Sequence, residues 1–144
     1  MSIPFAKGHG TGNDFIILPD DEASLVLTAE QVQALTNRRT GLGADGVLRV
    51  IPTERAAEPE VRSQASLAPW FMDYRNADGS VAEMCGNGAR VFAHYLRSTG
   101  RVIEDEFVIA TRGGARRIRA HEDGHYSVSM GESVPLDAVG GISV

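Results

Sequence analysis

The apolar positions of this chain recur in short strand-length runs broken by glycine, and they take up helical spacing in two places. Residues 3–19, IPFAKGHGTGNDFIILP, read as two strand-like pieces around a glycine-rich turn, with Phe15 and the aliphatic residues after it supplying buried bulk. Thr28 and Gln31 have the spacing of a capping box, and Val32 and Leu35 carry a helical stripe as far as Asn37, with Gly41 ending the helix. VLRVI (47–51) is a strand. The stretch 53–69, rich in Ala, Glu, Ser and Pro, holds no sustained period and is expected to be a surface loop. WFMDYRN (70–76) alternates, with Trp70, Met72 and Tyr74 on one face and Asp73 and Arg75 on the other, and ADGS (77–80) closes it as a turn. That strand delivers Asn76 to a loop just ahead of Cys85.

From Gly88 to Ser98 the residues Ala89, Phe92 and Leu96 share a helical face, with glycines in the first turn and Gly100 at a C-cap position. Residues 106–131 then read as strand, glycine turn, strand, Asp-Gly turn, strand. Strands and helices are mixed rather than strictly alternating, which makes the fold class α+β.

Composition narrows the function. The chain has 144 residues, 42% hydrophobic and 23% charged, the make-up of one ordinary globular domain or a piece of a larger protein. Its net charge of −5 argues against nucleic acid or an anionic membrane as a partner, because both demand a concentrated basic face. Arg112, Arg116, Arg117 and Arg119 are a local exception. Alternate members on a strand point to opposite faces, so they read as a solvated edge and not an anion site. A single cysteine excludes an internal disulfide, and the opening MSIPFAKGHG carries no export pattern, so the expected compartment is the cytoplasm. Runs such as FIIL (15–18) fall far short of the roughly 20 residues of a membrane helix.

Three short motifs invite chemistry. GLGADG (41–46) has the glycine spacing of a dinucleotide fingerprint, but that mechanism needs a strand before the glycines and a helix after them, and here the order is reversed. HEDGH (121–125) matches a zinc-protease string, yet Asp123-Gly124 suits a hairpin turn between RRIRA and YSVSM, which leaves no helical face for a metal. The third is EMCGNGAR (83–90), which sets the lone thiol, Cys85, at a helix entrance. A free cysteine is most often a buried small hydrophobe. At a helix N-terminus, however, the dipole and unpaired N–H groups favour thiolate, while Gly86 and Gly88 let an anion approach the backbone. A base beside a carboxylate site is what proton abstraction next to a carboxylate requires.

GHGTGNDF (8–15), GLGADG (41–46), YRNADGS (74–80) and MCGNGAR (84–90) stand in the order and approximate spacing of diaminopimelate epimerases, and the chain resembles that family, its actinobacterial members above all, from about Phe5 to Met130. The resemblance implies one of two similar domains, each a mixed, largely antiparallel sheet wrapped around a central helix. It implies epimerisation of LL-2,6-diaminopimelate to the meso form on the route to lysine and peptidoglycan, without pyridoxal phosphate, metal or any other cofactor. One thiolate removes the α-proton and a second thiol, from the opposite face, returns one. Carried onto this chain, Cys85 is the first of that pair, Gly86 and Asn87 hold the substrate α-carboxylate largely through backbone N–H groups, and Asn13 and Asn76 are side-chain contacts to substrate.

Some members place a glutamine contact directly after the motif aspartate, where this chain has Gly46. The second cysteine and the domain that carries it do not occur within residues 1–144, so the expected unit is the N-terminal domain, whose partner is the C-terminal domain of the same enzyme, with homodimerisation left open and the lone domain inactive. Rival readings are a proline racemase or hydroxyproline epimerase, which share the two-cysteine logic, a half-domain that only binds, and a redox-sensing thiol protein. The phenazine-biosynthesis isomerase branch of the same fold lacks the thiol arrangement. His9 as a base for Cys85 is disfavoured, and Asp14 and Asp45 are expected to bond local backbone.

Overall fold

The computed structural model describes residues 4–10, 12–83 and 85–129, so the sequence reading of 130–144 lies outside the described residues. β1 (Ala6–Gly10) and β2 (Asn13–Pro19) form the expected antiparallel pair around the glycine turn, in register from Ala6↔Ile17 to Gly10↔Asn13. A parallel partner needs a crossover, and α1 (Ala29–Thr36) lies in the one that leads to β3 (Gly46–Pro52), parallel to β2. A helical turn, α2 (Pro59–Arg62), precedes β4 (Trp70–Asn76), which pairs antiparallel with β3 and completes a sheet of order β1-β2-β3-β4.

After α3 (Gly86–Ser98) the chain makes a second sheet, β5 (Glu106–Ile109), β6 (Arg116–Ala120) and β7 (Tyr126–Val128), antiparallel throughout. The sheets meet at Phe71↔Ala110, where the Met72 N–H donates to the Ala110 carbonyl at 2.9 Å and the Ala110 N–H to that of Trp70 at 2.9 Å.

α3 is the axis of the domain. Phe15 and Ile17 of β2, Leu48 and Val50 of β3, Met72 and Tyr74 of β4 and Ile118 of β6 close around Ala89, Phe92 and Leu96 on its buried face. Burying a side chain the size of Phe92 contributes about 1.5–3 kcal/mol, so this face fixes the helix firmly. The outer sheet face is covered too: Ile16, Leu18 and Val47 pack on Val32 of α1, and Ile51 and Phe71 pack on Ala56, Val61 and Ala68. Two-sided burial explains why FIIL is continuously apolar. The result is the α+β class read from the pattern.

The capping box is made in full, with the Gln31 N–H donating to Thr28 Oγ1 at 3.1 Å and the Thr28 N–H to Gln31 Oε1 at 2.9 Å. Gly41 does not end α1. Asn37 does, because its carboxamide oxygen collects the Arg39 and Thr40 amides at 2.8 and 3.1 Å and draws the backbone out of the helix.

Two further expectations need correction, for one shared reason. Residues 53–69 are not a plain surface loop: a 3-10 turn, Thr53–Arg55, and α2 bury Thr53, Ala56, Val61, Gln64 and Ala68 against the outer sheet face. Nor is Arg112 part of a solvated edge, although Arg119 is exposed as expected. Under that cover Asp73, 1% exposed, accepts from Arg112 Nη2 at 2.6 Å, Arg75 Nε at 2.8 Å and Arg49 Nη1 at 3.1 Å, while Arg112 Nε also donates to Glu58 Oε2 at 2.7 Å. Arg116 is buried as well. Alternation put Asp73 on the correct face, but that face is roofed rather than wet.

The HEDGH stretch is the hairpin turn the pattern predicts: the His121 N–H donates to the His125 carbonyl at 2.8 Å, and the two histidines flank the bend. GLGADG likewise runs from a helix into a strand. Among the described residues no helix is long and apolar enough to cross a membrane.

Candidate active site

The strand directions bring the candidate residues to one end of the first sheet. Phe15↔Gly46 in the parallel pair and Gly46↔Asn76 in the antiparallel pair place the start of β2, the start of β3 and the end of β4 side by side. The N-terminus of α3 arrives at the same end, with Cys85 as its N-cap in an extended conformation and Gly86 and Asn87 as its first two residues. The helix reaches that position because Gly10 carries no side chain: a Cβ there would stand 2.9 Å from Asn87 Cβ and 3.0 Å from its carbonyl oxygen.

Cys85 is a half-buried free thiol whose carbonyl accepts the Ala89 N–H at 2.8 Å. Its sulfur makes no capping bond to the helix amides, contrary to the simplest expectation for a thiol at a helix entrance. The sulfur instead neighbours the phenol of Tyr74. Burial first, then the charge and proximity of Cys85, push the Tyr74 hydroxyl up to about 12, so the phenol stays protonated beside the sulfur. Tyr74 also accounts for the glycine that follows the motif aspartate: a Cβ on Gly46 would come within 2.9 Å of Tyr74 Cε1 and 2.7 Å of the Arg75 carbonyl oxygen. The tyrosine ring occupies the space a side chain at 46 would need.

Asn13 and Asn87 touch directly. Asn87 Nδ2 donates to Asn13 Oδ1 at 2.7 Å, Asn13 Nδ2 donates to Asp45 Oδ2 at 3.1 Å, and Arg90 Nη1 donates to Asn87 Oδ1 at 3.1 Å. Asn76 lies at the same end but outside this chain of bonds, its carboxamide donating to Ser80 Oγ at 3.1 Å across the turn. His9 is exposed on β1 opposite Asp14.

Asp14 and Asp45 do not bond merely local backbone. Asp45 Oδ2 accepts the Asp14 N–H at 3.1 Å across 31 residues of sequence, and Arg38 Nη2 bridges the two carboxylates at 2.8 and 3.2 Å. The Arg38 hydrogen bond, against a smaller desolvation cost, holds the Asp14 carboxyl well below the usual carboxylate range. Sequence reasoning missed Tyr74, Asp45 and Arg90. The available signals were the tyrosine two positions before the motif asparagine and the aspartate and arginine inside the recurring motifs. Among the described residues, no group of three or more His, Cys, Asp or Glu side chains lies close enough to hold a metal ion.

The profile of one family, described as diaminopimelate epimerase, matches residues 5–136. The chain belongs to the diaminopimelate epimerase family. It is 54% identical over 132 residues to the diaminopimelate epimerase of Streptomyces coelicolor, covering 92% of this chain and 45% of the relative. With that of Thermobifida fusca it shares 57% over 129 residues, covering 88% and 47%, and with that of Mycobacterium tuberculosis 53% over 142 residues, covering 93% and 49%. The chain therefore spans about half the length of these epimerase relatives. Among solved structures, a Bacillus anthracis phenazine biosynthesis protein of the PhzF family superposes with a TM-score of 0.53 at 19% identity, over 88% of this chain and 38% of that one, a likeness of fold. Membership of the epimerase family thus agrees with the four ordered motifs and with a sheet wrapped on a central helix.

Proposed function

We propose that these residues form one half of the active site of an isomerase that converts LL-2,6-diaminopimelate to the meso isomer, in the cytoplasm, on the route to lysine and peptidoglycan, with no cofactor. The observation that carries the reading is the placement of Cys85 at the α3 N-cap, at the sheet end that also holds Asn13 and Asn76. The sulfur, as thiolate, takes the α-proton while the substrate α-carboxylate rests on the Gly86 and Asn87 amides at the positive end of the helix, where negative charge developing on that carboxylate is stabilised. Asn13 and Asn76 orient the remaining polar groups. Inversion needs a proton returned from the opposite face, so a second thiol acts from outside these residues, on a C-terminal domain that packs against this N-terminal one.

The test uses the complete enzyme and the chain alone. In the complete enzyme Cys85→Ala should abolish conversion of LL-diaminopimelate and remove the exchange of its α-proton with deuterated solvent, with the fold retained, and Cys85→Ser should be severely impaired because a hydroxyl is a far weaker acid. Residues 1–144 alone should bind substrate weakly and form no meso product until the partner half is supplied in trans. Near-normal epimerisation by the alanine variant would refute the assignment of the base, and a complete enzyme that binds diaminopimelate without exchanging its α-proton would favour a module that only binds.

A further inference from the structure

A carboxamide can exchange its oxygen and nitrogen ends by a half-turn, and contacts to a single neutral neighbour do not decide which way it stands. At this site two carboxamides, Asn87 and Asn13, lie in series between Arg90 and Asp45. A guanidinium only donates and a carboxylate only accepts. Turning either carboxamide alone would set two NH2 groups or two carbonyl oxygens against each other at the 2.7 Å contact. Turning both would aim the Asn87 NH2 at Arg90 and the Asn13 oxygen at Asp45. One polarity survives: Arg90 to Asn87 to Asn13 to Asp45.

We propose that Asp45 and Arg90 are positioning residues of this site, an obligate acceptor and an obligate donor that together fix the orientation of the Asn13 and Asn87 carboxamides and, through Asn87, seat the first turn of α3 that follows Cys85. The acceptor end is anchored independently of the carboxamides. Asp45 Oδ1 takes Arg38 at 3.2 Å, its Oδ2 takes the Asp14 N–H at 3.1 Å, and its own N–H donates to the Asp14 carbonyl at 2.9 Å. The donor end stands one turn along the helix that carries Asn87. With its oxygen engaged by Asn87 and one N–H by Asp45, Asn13 has its second N–H to offer, the group a carboxylate ligand requires. The consequence for turnover rests on the epimerase reading; the fixed polarity does not.

Side-chain amide exchange, followed by NMR on this chain labelled with nitrogen-15, tests the relay without any assay of activity. Asp45→Asn preserves shape but replaces an obligate acceptor with a group that can face either way. Exchange should accelerate about tenfold at both Asn13 and Asn87, the worth of about one net hydrogen bond, although no described hydrogen bond joins Asp45 to Asn87 directly. Arg90→Gln should accelerate both in the same way, and Arg90→Lys, which restores an obligate donor, should bring exchange back towards wild type. In the complete enzyme Asp45→Asn and Arg90→Gln should lower kcat/KM by a similar factor, with Arg90→Lys recovering most of it. An Asp45→Asn protein whose Asn87 exchange is unchanged, or Gln and Lys at 90 behaving alike, would overturn the relay. Coupled exchange in a complete wild-type protein that never epimerises diaminopimelate would support the relay and sink the catalytic reading instead.

Discussion

Asp73→Asn is the sharpest test of what holds the first sheet together. The wild-type carboxylate is 1% exposed and takes four hydrogen bonds from three guanidinium groups: Arg112 at 2.6 Å, Arg75 at 2.8 and 3.1 Å, and Arg49 at 3.1 Å. Removing one partner of a buried ion pair costs about 3–5 kcal/mol, because the other charge is left uncompensated out of water. Here the three arginines are not equally exposed to that loss. Arg49 keeps Asp20 at 2.8 Å and Arg112 keeps Glu58 at 2.7 Å, whereas Arg75 is left with the Leu27 carbonyl at 3.2 Å. The penalty therefore falls mainly on Arg75, and the expected cost is about 3 kcal/mol, the low end of that range. For a domain of this size it should lower Tm by roughly 6–12 °C. Trp70, the single tryptophan, lies on the same strand and reports unfolding in urea by its fluorescence. A loss of less than about 1 kcal/mol would show that the cluster is solvated in practice and that residues 53–69 do not roof it.

The remaining predictions are briefer. Burial alone would raise the Asp73 carboxyl, but Arg75 and Arg112 more than offset it and hold it below its ordinary 3.8; because its folded value is depressed, its contribution to stability is present above that pH and lost as pH falls through the folded value, so urea unfolding against pH should show an acid limb below about 4 that Asp73→Asn flattens. Gly10→Ala should cost about 1–3 kcal/mol, since the new Cβ meets the backbone of Asn87 and not a flexible side chain, and a melting curve within error of wild type would contradict the close approach of β1 to α3. Gly46→Ala should displace the Tyr74 ring and slow alkylation of Cys85 in the folded state several-fold, with unchanged alkylation counting against contact between phenol and sulfur.

The strand and helix order was legible because it depends on local periods and local turns. WFMDYRN is β4 residue for residue, and the Thr28–Gln31 box starts α1 where its spacing says. What stayed hidden are features made by pairs far apart in the chain. Arg49 and Asp73 are 24 positions apart, Arg112 and Asp73 39, Arg112 and Glu58 54, and no window of sequence contains such a cluster. The same holds at the site: Cys85, Asn13, Asn76 and the helix entrance could be placed by motif, but the contact of Asn13 with Asn87 spans 74 positions. That the sulfur makes no capping bond to the helix amides and lies beside the Tyr74 phenol depends on how α3 settles on the sheet. End-of-helix position alone does not determine it.

β4 shows why the chemistry of this domain and its stability can be perturbed separately. Within four residues it supplies Asp73 to the arginine cluster, Tyr74 to the thiol, Arg75 back to the cluster and Asn76 to the end of the sheet. The alternation of a strand sends Asp73 and Arg75 to the roofed face and Tyr74 to the face that carries α3. A charge removed at Asp73 thus reaches the site only through the strand backbone, which the ladder with β3 holds at both flanks, from Pro52↔Trp70 to Gly46↔Asn76. Asp73→Asn should consequently lower Tm while the folded protein alkylates Cys85 at nearly the wild-type rate, whereas Gly46→Ala, whose Cβ meets both the Tyr74 ring and the Arg75 carbonyl, should slow alkylation and lower Tm together. If instead the two variants moved stability and thiol reactivity by the same ratio, the two faces of β4 would be one cooperative unit, and the ion cluster would belong to the site rather than to the scaffold behind it.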